Sequence, residues 1–264
     1  MTEDVYDSSS SQRIITPRCR EEDVKAPGPL IFTLARIENL IHQVSFDPIK
    51  GEGKIITNTI TVNPQDLSHA LEILEDTIQS GLAVCPRVKI EEIKDRTVIH
   101  TACSLTIDGV LVKHGIPVRP KGGGIVEVVE RQPMRFIDML MYWATTIDPI
   151  DILISQELTD VTGMMRTGSG RVLGNLQEAP MLARERIEEV LDYLAQAEFA
   201  GILELGEPNA DVLGVSVERD RLGVALVGGT NLVAAAMEEG IDIKNESISG
   251  LTDISEMKHL EEII

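Results

Sequence analysis

Apolar residues recur at three- and four-residue spacings from Leu30 onward, through Leu34, Ile37 and Ile41, and predict a first helix. Lys54 to Val62 is rich in β-branched residues and predicts a strand. Asn63-Pro64-Gln65-Asp66 then opens a helix, with Asp66 as its N-cap, Leu67, Ala70, Leu71, Leu74 and Ile78 as its buried stripe, and Gly81 as its stop. Strands are predicted over Ala83–Ile90, Thr97–Ile107 and Val110–Val118, the last two joined by a hairpin turn at Asp108-Gly109. A linking helix opened by Pro133 carries Phe136, Met139, Leu140 and Trp143, and Asp148-Pro149 breaks it before a strand from Ile150 to Ile154. Further on come a strand over Arg171–Asn175 and a helix with the stripe Ile187, Val190, Leu191 and Leu194. Strands over Ala200–Leu205, Val212–Val217 and Leu222–Val227, and a short helix over Leu232–Glu239 stopped by Gly240, complete the pattern.

The chain repeats itself. Gly51-Glu52-Gly53-Lys54-Ile55-Ile56-Thr57-Asn58 returns 117 residues later as Gly168-Ser169-Gly170-Arg171-Val172-Leu173-Gly174-Asn175. A proline (Pro64, Pro180), a helical stripe and a hydrophobic run follow each copy, and each half has a glycine pair after a strand, Gly122-Gly123 and Gly228-Gly229. The expected fold is therefore α+β, with two homologous half-domains of about residues 30–130 and 131–264 and mixed sheets with packed helices. A crevice between such halves is a natural place for a ligand. Residues 1–29, with the serine run Ser8–Ser11 and Ala26-Pro27-Gly28-Pro29, read as a disordered tail.

Composition narrows the class. No apolar run reaches the roughly 20 residues a membrane helix needs, and the acidic start Met1-Thr2-Glu3-Asp4 is not that of a signal peptide, so a cytoplasmic protein is expected. Cys19, Cys85 and Cys103 form neither a disulfide framework nor a zinc site. Acidic residues outnumber basic ones 43 to 24, for a net charge of −19, which argues against a phosphate-neutralising surface and direct contact with nucleic acid.

Candidate chemistry is sparse. Gly228-Gly229-Thr230-Asn231 at a helix start offers bare backbone N–H groups to an anion, and Lys121-Gly122-Gly123-Gly124 occupies the matching place in the first half. Neither run has P-loop spacing, and Gly51-x-Gly53 and Gly168-x-Gly170 precede strands and lack a third glycine, so nucleotide readings fail. The five histidines are dispersed without metal-ligand spacing, and Cys103 in a strand reads as buried and inert. Arg119, Arg166 and Arg171 lie near the glycine turns and suit carboxylates, while Glu178 could face the crevice as a lone acid.

The run Thr101-Ala-Cys-Ser-Leu-Thr-Ile-Asp-Gly-Val-Leu-Val-Lys-His-Gly-Ile-Pro117 resembles the regulatory domain of NrpR, the nitrogen repressor of euryarchaea. So do Arg135-Phe136 with Tyr142, Thr146-Ile147-Asp148-Pro149, Thr167-Gly-Ser-Gly170, Asn175 with Glu178 and Pro180, and Gly228-Gly-Thr-Asn231 with Glu239-Gly240-Ile241. The resemblance spans roughly residues 30–264 and implies a non-enzymatic transcription regulator of nitrogen assimilation that responds to 2-oxoglutarate and holds no cofactor. In that family a winged helix precedes the regulatory domain. Residues 1–29 are too short and polar for one, which implies a stand-alone corepressor acting as a homo-oligomer or through a winged-helix NrpR paralogue. Carried onto these residues, the effector site would use Gly122, Gly123, Gly228, Gly229 and Asn231 as donors, Arg119 or Arg171 as the carboxylate partner and Cys103 as a wall, with Asn175 also among the ligand-binding residues. The chain departs from the family at Leu176-Gln177, where an arginine is usual, and at Leu232, where proline is usual. Two alternatives stay open on the residues alone: a small-molecule enzyme using Glu178 in the crevice, or a ligand-free scaffold.

Overall fold

The structure, a computed structural model, describes residues 31–263; the tail expected over 1–29 lies outside the described residues. In chain order the first half contributes α1 (Thr33–Ile41), β1 (Lys54–Val62), α2 (Leu67–Gln79), β2 (Arg87–Ile93), β3 (Arg96–Ala102), α3 (Leu105–Lys113), β4 (Arg119–Val129) and β5 (Gln132–Met141). The second half contributes α4 (Pro149–Ser155), α5 (Val161–Thr167), β6 (Gly170–Pro180), α6 (Arg184–Gln196), β7 (Ile202–Leu205), β8 (Arg221–Val227), α7 (Asn231–Glu238), β9 (Ile243–Asp253) and β10 (Lys258–His259). The repeat seen in the sequence is carried by these elements. A shift of 117 residues takes α2 onto α6 end for end, and takes the short turn Pro64–Asp66 onto Met181–Ala183.

The strands form two five-stranded antiparallel sheets, ordered β10-β2-β3-β1-β9 and β5-β4-β6-β8-β7. Three consecutive strands of each half stay together, but the fourth and fifth are exchanged. β4 leaves the first half to pair with β6, and β9 leaves the second half to pair with β1. The helices cross over as well. α3 packs against α6 and α7 against α2, so each of these pairs joins one helix from each half. The half-repeats are thus interlocked bodies that share both sheets.

Several local expectations are corrected. Leu105–Lys113 is a helix, and Asp108-Gly109 lies inside it. All residues from Leu105 to Leu111 are buried, so the segment lacks the polar stripe that marks a surface helix. Gly109 serves close packing instead, because a Cβ there would lie 2.4 Å from Val44. Gln132–Met141 is the strand β5 and not a helix. Two bulges, between the partners Ile125/Val126 and Glu127/Val128, each insert an extra β5 residue and reset its alternation, which mimics helical spacing. Asp148-Pro149 starts helix α4 where a strand was expected: the Asp148 carboxylate accepts the Ile150 N–H at 2.9 Å, and proline suits the first helical position. Asp66, by contrast, makes no side-chain cap.

The expected strand over 212–217 belongs to a strap between β7 and β8, with a single bridge between Val212 and Val215. Lys121 reaches across to the Ser216 carbonyl at 2.6 Å and to the buried Glu178 carboxylate, which also accepts the Glu218 N–H at 3.2 Å.

Where the two crossovers touch there is no room for a side chain. A Cβ on Gly229 would lie 2.8 Å from the Ala102 carbonyl oxygen and 3.1 Å from Cys103 Cα. Gly229→Ala should therefore cost about 1–3 kcal/mol through overpacking. Gly250→Ala, whose added methyl meets nothing within 4 Å, should change stability by no more than about 0.5 kcal/mol. Urea unfolding of the two variants checks this, and equal midpoints would refute the tight crossing.

Candidate functional site

The chain leaves β3 for α3 through Cys103-Ser104, and leaves β8 for α7 through Gly228-Gly229-Thr230; these two passages meet at the centre of the molecule. Each is tied to its own repeat strand in the same way. The Cys103 N–H donates to the Ile56 carbonyl at 2.9 Å, and the Gly228 N–H donates to the Leu173 carbonyl at 2.8 Å. Thr106 clamps Ile56, accepting its N–H at 3.1 Å and donating to its carbonyl at 3.2 Å. Asn231 does the same for Leu173, at 2.8 and 3.1 Å. Ile56 and Leu173 are counterparts in the repeat, so the two clamps are equivalent devices built from different side chains.

The repeat asparagines face this crossing, but their surroundings differ. Asn175 donates to the Ser104 hydroxyl at 2.7 Å. Asn58 accepts the Ile248 N–H at 3.0 Å, while its amide nitrogen points at Gly229, where no hydroxyl exists to receive it. A small cavity of about 20 Å³ lies between them, lined by Asn58, Cys103, Ser104, Tyr142, Asp148, Asn175, Gly229, Thr230 and Ile248. That is room for about one water molecule. Asn58 Nδ2, Asn175 Oδ1 and Thr230 Oγ1 are buried and have no hydrogen-bond partner among the described residues. The wall is therefore rich in hydrogen-bonding capacity that the protein itself does not use.

Burial dominates the electrostatics. It pushes the Cys103 thiol up to about 12, aided by the nearby Asp148 and Asp108 carboxyls, so the thiol stays protonated and is a poor nucleophile at neutral pH. The Tyr142 phenol is raised well above its usual value, first by burial and then by Asp148. Asp148 itself rises to about 6 because it is buried and has Asp151 beside it, with the Ile150 N–H and the Arg36 guanidinium pulling the other way. Asp108, one helical turn into α3, is raised well above the carboxylate range by burial, with the Gln177 amide opposing weakly.

The residues expected to form the site are only partly brought together. Cys103, Asn175 and Gly229 line the cavity. Gly123 stands at its edge, where a Cβ would press on Ile150 at 2.8 Å and approach the Tyr142 hydroxyl at 3.4 Å. Gly122 serves contact with the Leu140 carbonyl, and Gly228 contact with Leu173. Asn231 spends its side chain on Leu173 and on the Gly228 carbonyl, 2.9 Å away. Arg119 and Arg171 flank Asn175 on opposite sides along the β4–β6 pairing, three and four register steps from it, and do not line the cavity. Arg119 is exposed and ion-paired to Glu218 at 2.7 Å, and Arg171 reaches the Thr159 carbonyl. Glu178 is held by Lys121 and the strap, away from the crossing. Asn58, Ser104, Thr230 and Asp148 also line the cavity, though their side chains are not among the contacts expected from the sequence. Asn58 was findable, since it is the repeat counterpart of Asn175.

The architecture is that of an interlocked α+β domain in which two repeats exchange a helix and a pair of strands. Residues 30–259 match the family described as NrpR regulatory domains NRD1 and 2, and the chain belongs to that family. It is 33% identical over 237 residues to the global nitrogen regulator NrpRI of Methanosarcina mazei, covering 87% of this chain and 73% of that protein. It is 31% identical to the global nitrogen regulator NrpR of Methanocaldococcus jannaschii, covering 87% of this chain but 40% of that longer protein. The crystal structure of a nitrogen repressor-like protein from Methanococcus jannaschii superposes with a TM-score of 0.79 at 30% identity, over 88% of this chain and all of that one. Among the described residues no helix is long and apolar enough to cross a membrane.

Asp148 gives a pH-dependent prediction. Its folded pKa of about 6 lies above the unfolded value, so folding favours the protonated acid. Its contribution is fully present below about pH 4 and is lost as pH rises through 6, a change of about 3 kcal/mol. Asp148→Asn keeps a capping oxygen without the charge. Its stability relative to wild type should therefore climb between pH 4 and 6 and then level off, as measured by urea unfolding across that range. A flat difference would mean that Asp148 is solvated.

Proposed function

We propose that this chain is a regulatory subunit for the transcription of nitrogen-assimilation genes, which senses 2-oxoglutarate in the cytoplasm and acts on DNA through a winged-helix NrpR paralogue. What carries the reading is the cavity at the crossing, where three buried polar atoms from both repeats stand unpartnered in a member of a regulatory-domain family. The relatives named as nitrogen regulators supply the biological context. The strongly acidic composition favours action through a partner over direct phosphate contact.

Size dictates the mechanism. A cavity of about 20 Å³ cannot hold a dicarboxylate, so the effector must bind an arrangement in which the crossing is opened. A ligand that binds one arrangement better than the other shifts the population toward it, by no more than the difference in its affinities. Because each sheet is built from both repeats, parting them at the crossing moves both sheets. A change of this kind would reposition the DNA-binding partner relative to its operator.

Calorimetric titration of the purified chain with 2-oxoglutarate, with glutarate and glutamate as controls, tests the reading. The expected result is 2-oxoglutarate binding at least about tenfold tighter than either control, a difference of about 1.4 kcal/mol. No binding by a folded protein would remove the sensing role and leave an assembly subunit.

A further inference from the structure

The strand β9 is distorted opposite Asn58. Thr57 pairs with Gly250 and Thr59 with Glu246, so Ser247, Ile248 and Ser249 together oppose one residue of β1. Within this bulge Ile248 has a φ of 53°, a left-handed conformation that a β-branched residue adopts only under constraint. Two groups hold it there. Its N–H is bound by the Asn58 carbonyl at 3.0 Å, and its carbonyl accepts from Arg36 Nη2 at 2.7 Å, the same nitrogen reaching the Ser247 carbonyl at 3.1 Å. Ile248 lines the inner cavity on one side. On its other side it lines a much larger outer pocket of about 520 Å³, walled by Phe32, Ala35, Arg36, Leu40 and Thr146. One strained residue thus separates a roomy pocket containing an arginine from a closed cavity containing unpartnered hydrogen-bonding groups.

We infer that the outer pocket and the inner cavity form one site for a small carboxylate, with Arg36 as its charge partner and Ile248 as the door between them. This rests on the reading that the crossing cavity takes the effector. Asp148 lines the inner cavity with Asp151 near it and opposes negative charge there, so a dicarboxylate needs a cationic partner outside that cavity, which Arg36 supplies. Its hydrogen-bonding atoms would take the inner groups: Asn58 Nδ2 and Thr230 Oγ1 as donors, Asn175 Oδ1 as acceptor. A guanidinium engaged by a carboxylate makes charge-assisted bonds stronger than those to neutral carbonyls. The ligand would therefore draw Arg36 from Ser247 and Ile248, removing one of the two restraints on the bulge. Binding and door opening are then a single event.

Calorimetry with 2-oxoglutarate on wild type, Arg36→Gln, Arg36→Lys and Ile248→Gly, each first checked by thermal melting, tests the site. Wild-type affinity should weaken with added salt. Arg36→Gln should lose about tenfold or more in affinity together with most of the salt dependence, while Arg36→Lys retains the salt dependence with intermediate affinity. Ile248→Gly, relieved of strain, should bind several-fold more tightly or more weakly than wild type but not identically, because the door's energy enters the binding equilibrium. If Arg36→Gln unfolds, the lysine and glycine variants decide. Wild-type binding with affinity and salt dependence unchanged in the arginine variants overturns the assignment of Arg36 and leaves the cavity reading intact. Absence of wild-type binding overturns the sensing reading itself, and this site with it.

Discussion

The structure depends on one close approach, the backbone of Gly229 lying against Ala102 and Cys103. The first repeat sends α3 and then β4 and β5 across to the other, the second sends α7 and then β9 and β10, and both passages use the same point. If the passages stood farther apart, β4 could not lie in register on β6 while β9 lies in register on β1. Paired clamps at Ile56 and Leu173 fix the height of each passage on its own strand, so the crossing is set by covalent geometry and hydrogen bonds, with packing closing around it. The absence of a side chain at Gly229 is also what leaves the Asn58 amide without a partner. The steric requirement of the fold and the unused polarity at its centre thus have one origin.

Duplication supplies two copies of every element, yet the copies differ where chemistry is concentrated. Ser104 satisfies Asn175, whereas Asn58 has only a glycine before it. Asp108 and Gln177 place a polar pair between α3 and β6; at the related contact of α7 with β1, Val233 and Ile60 are wholly apolar. β9 is bulged opposite Asn58, while β4 passes Asn175 with Gly123 in plain register. A symmetric ancestor would have presented the same groups from both sides. This chain presents a donor from one repeat and an acceptor from the other, which suits a ligand whose two ends are unlike.

The sequence revealed the parts of the fold that rest on local pattern. The amphipathic stripes of α2 and α6 and the repeated block ahead of β1 and β6 were legible because one face of each is solvent-exposed or one motif recurs. α3 was misread because it is buried all round and carries an Asp-Gly pair whose turn-forming tendency tertiary packing overrides. β5 was misread because its bulges imitate a helical period. The site was legible only through Asn175, Cys103 and the glycine pair. Arg36 and Ile248 had no marker, since the roles proposed for them rest on a contact between α1 and β9 that spans more than 200 residues of sequence. The arginines favoured by proximity to glycine turns lie on the same strands as the site, but too far along them.

Strand exchange between the repeats has a further consequence for how the chain acquires its shape. The pairing of β9 with β1 joins residues about 190 apart, as in the bond from Ile248 to Asn58, so the first sheet is not complete until the second repeat has been made as far as β9. Contacts of such long range slow folding, and until they form β1 presents an open edge. An open edge does not distinguish a strand of its own chain from the same strand of a neighbour, because the register and side chains are identical. At high concentration during synthesis, two nascent chains could therefore complete each other's sheets, and the topology that ties one molecule together would then tie two.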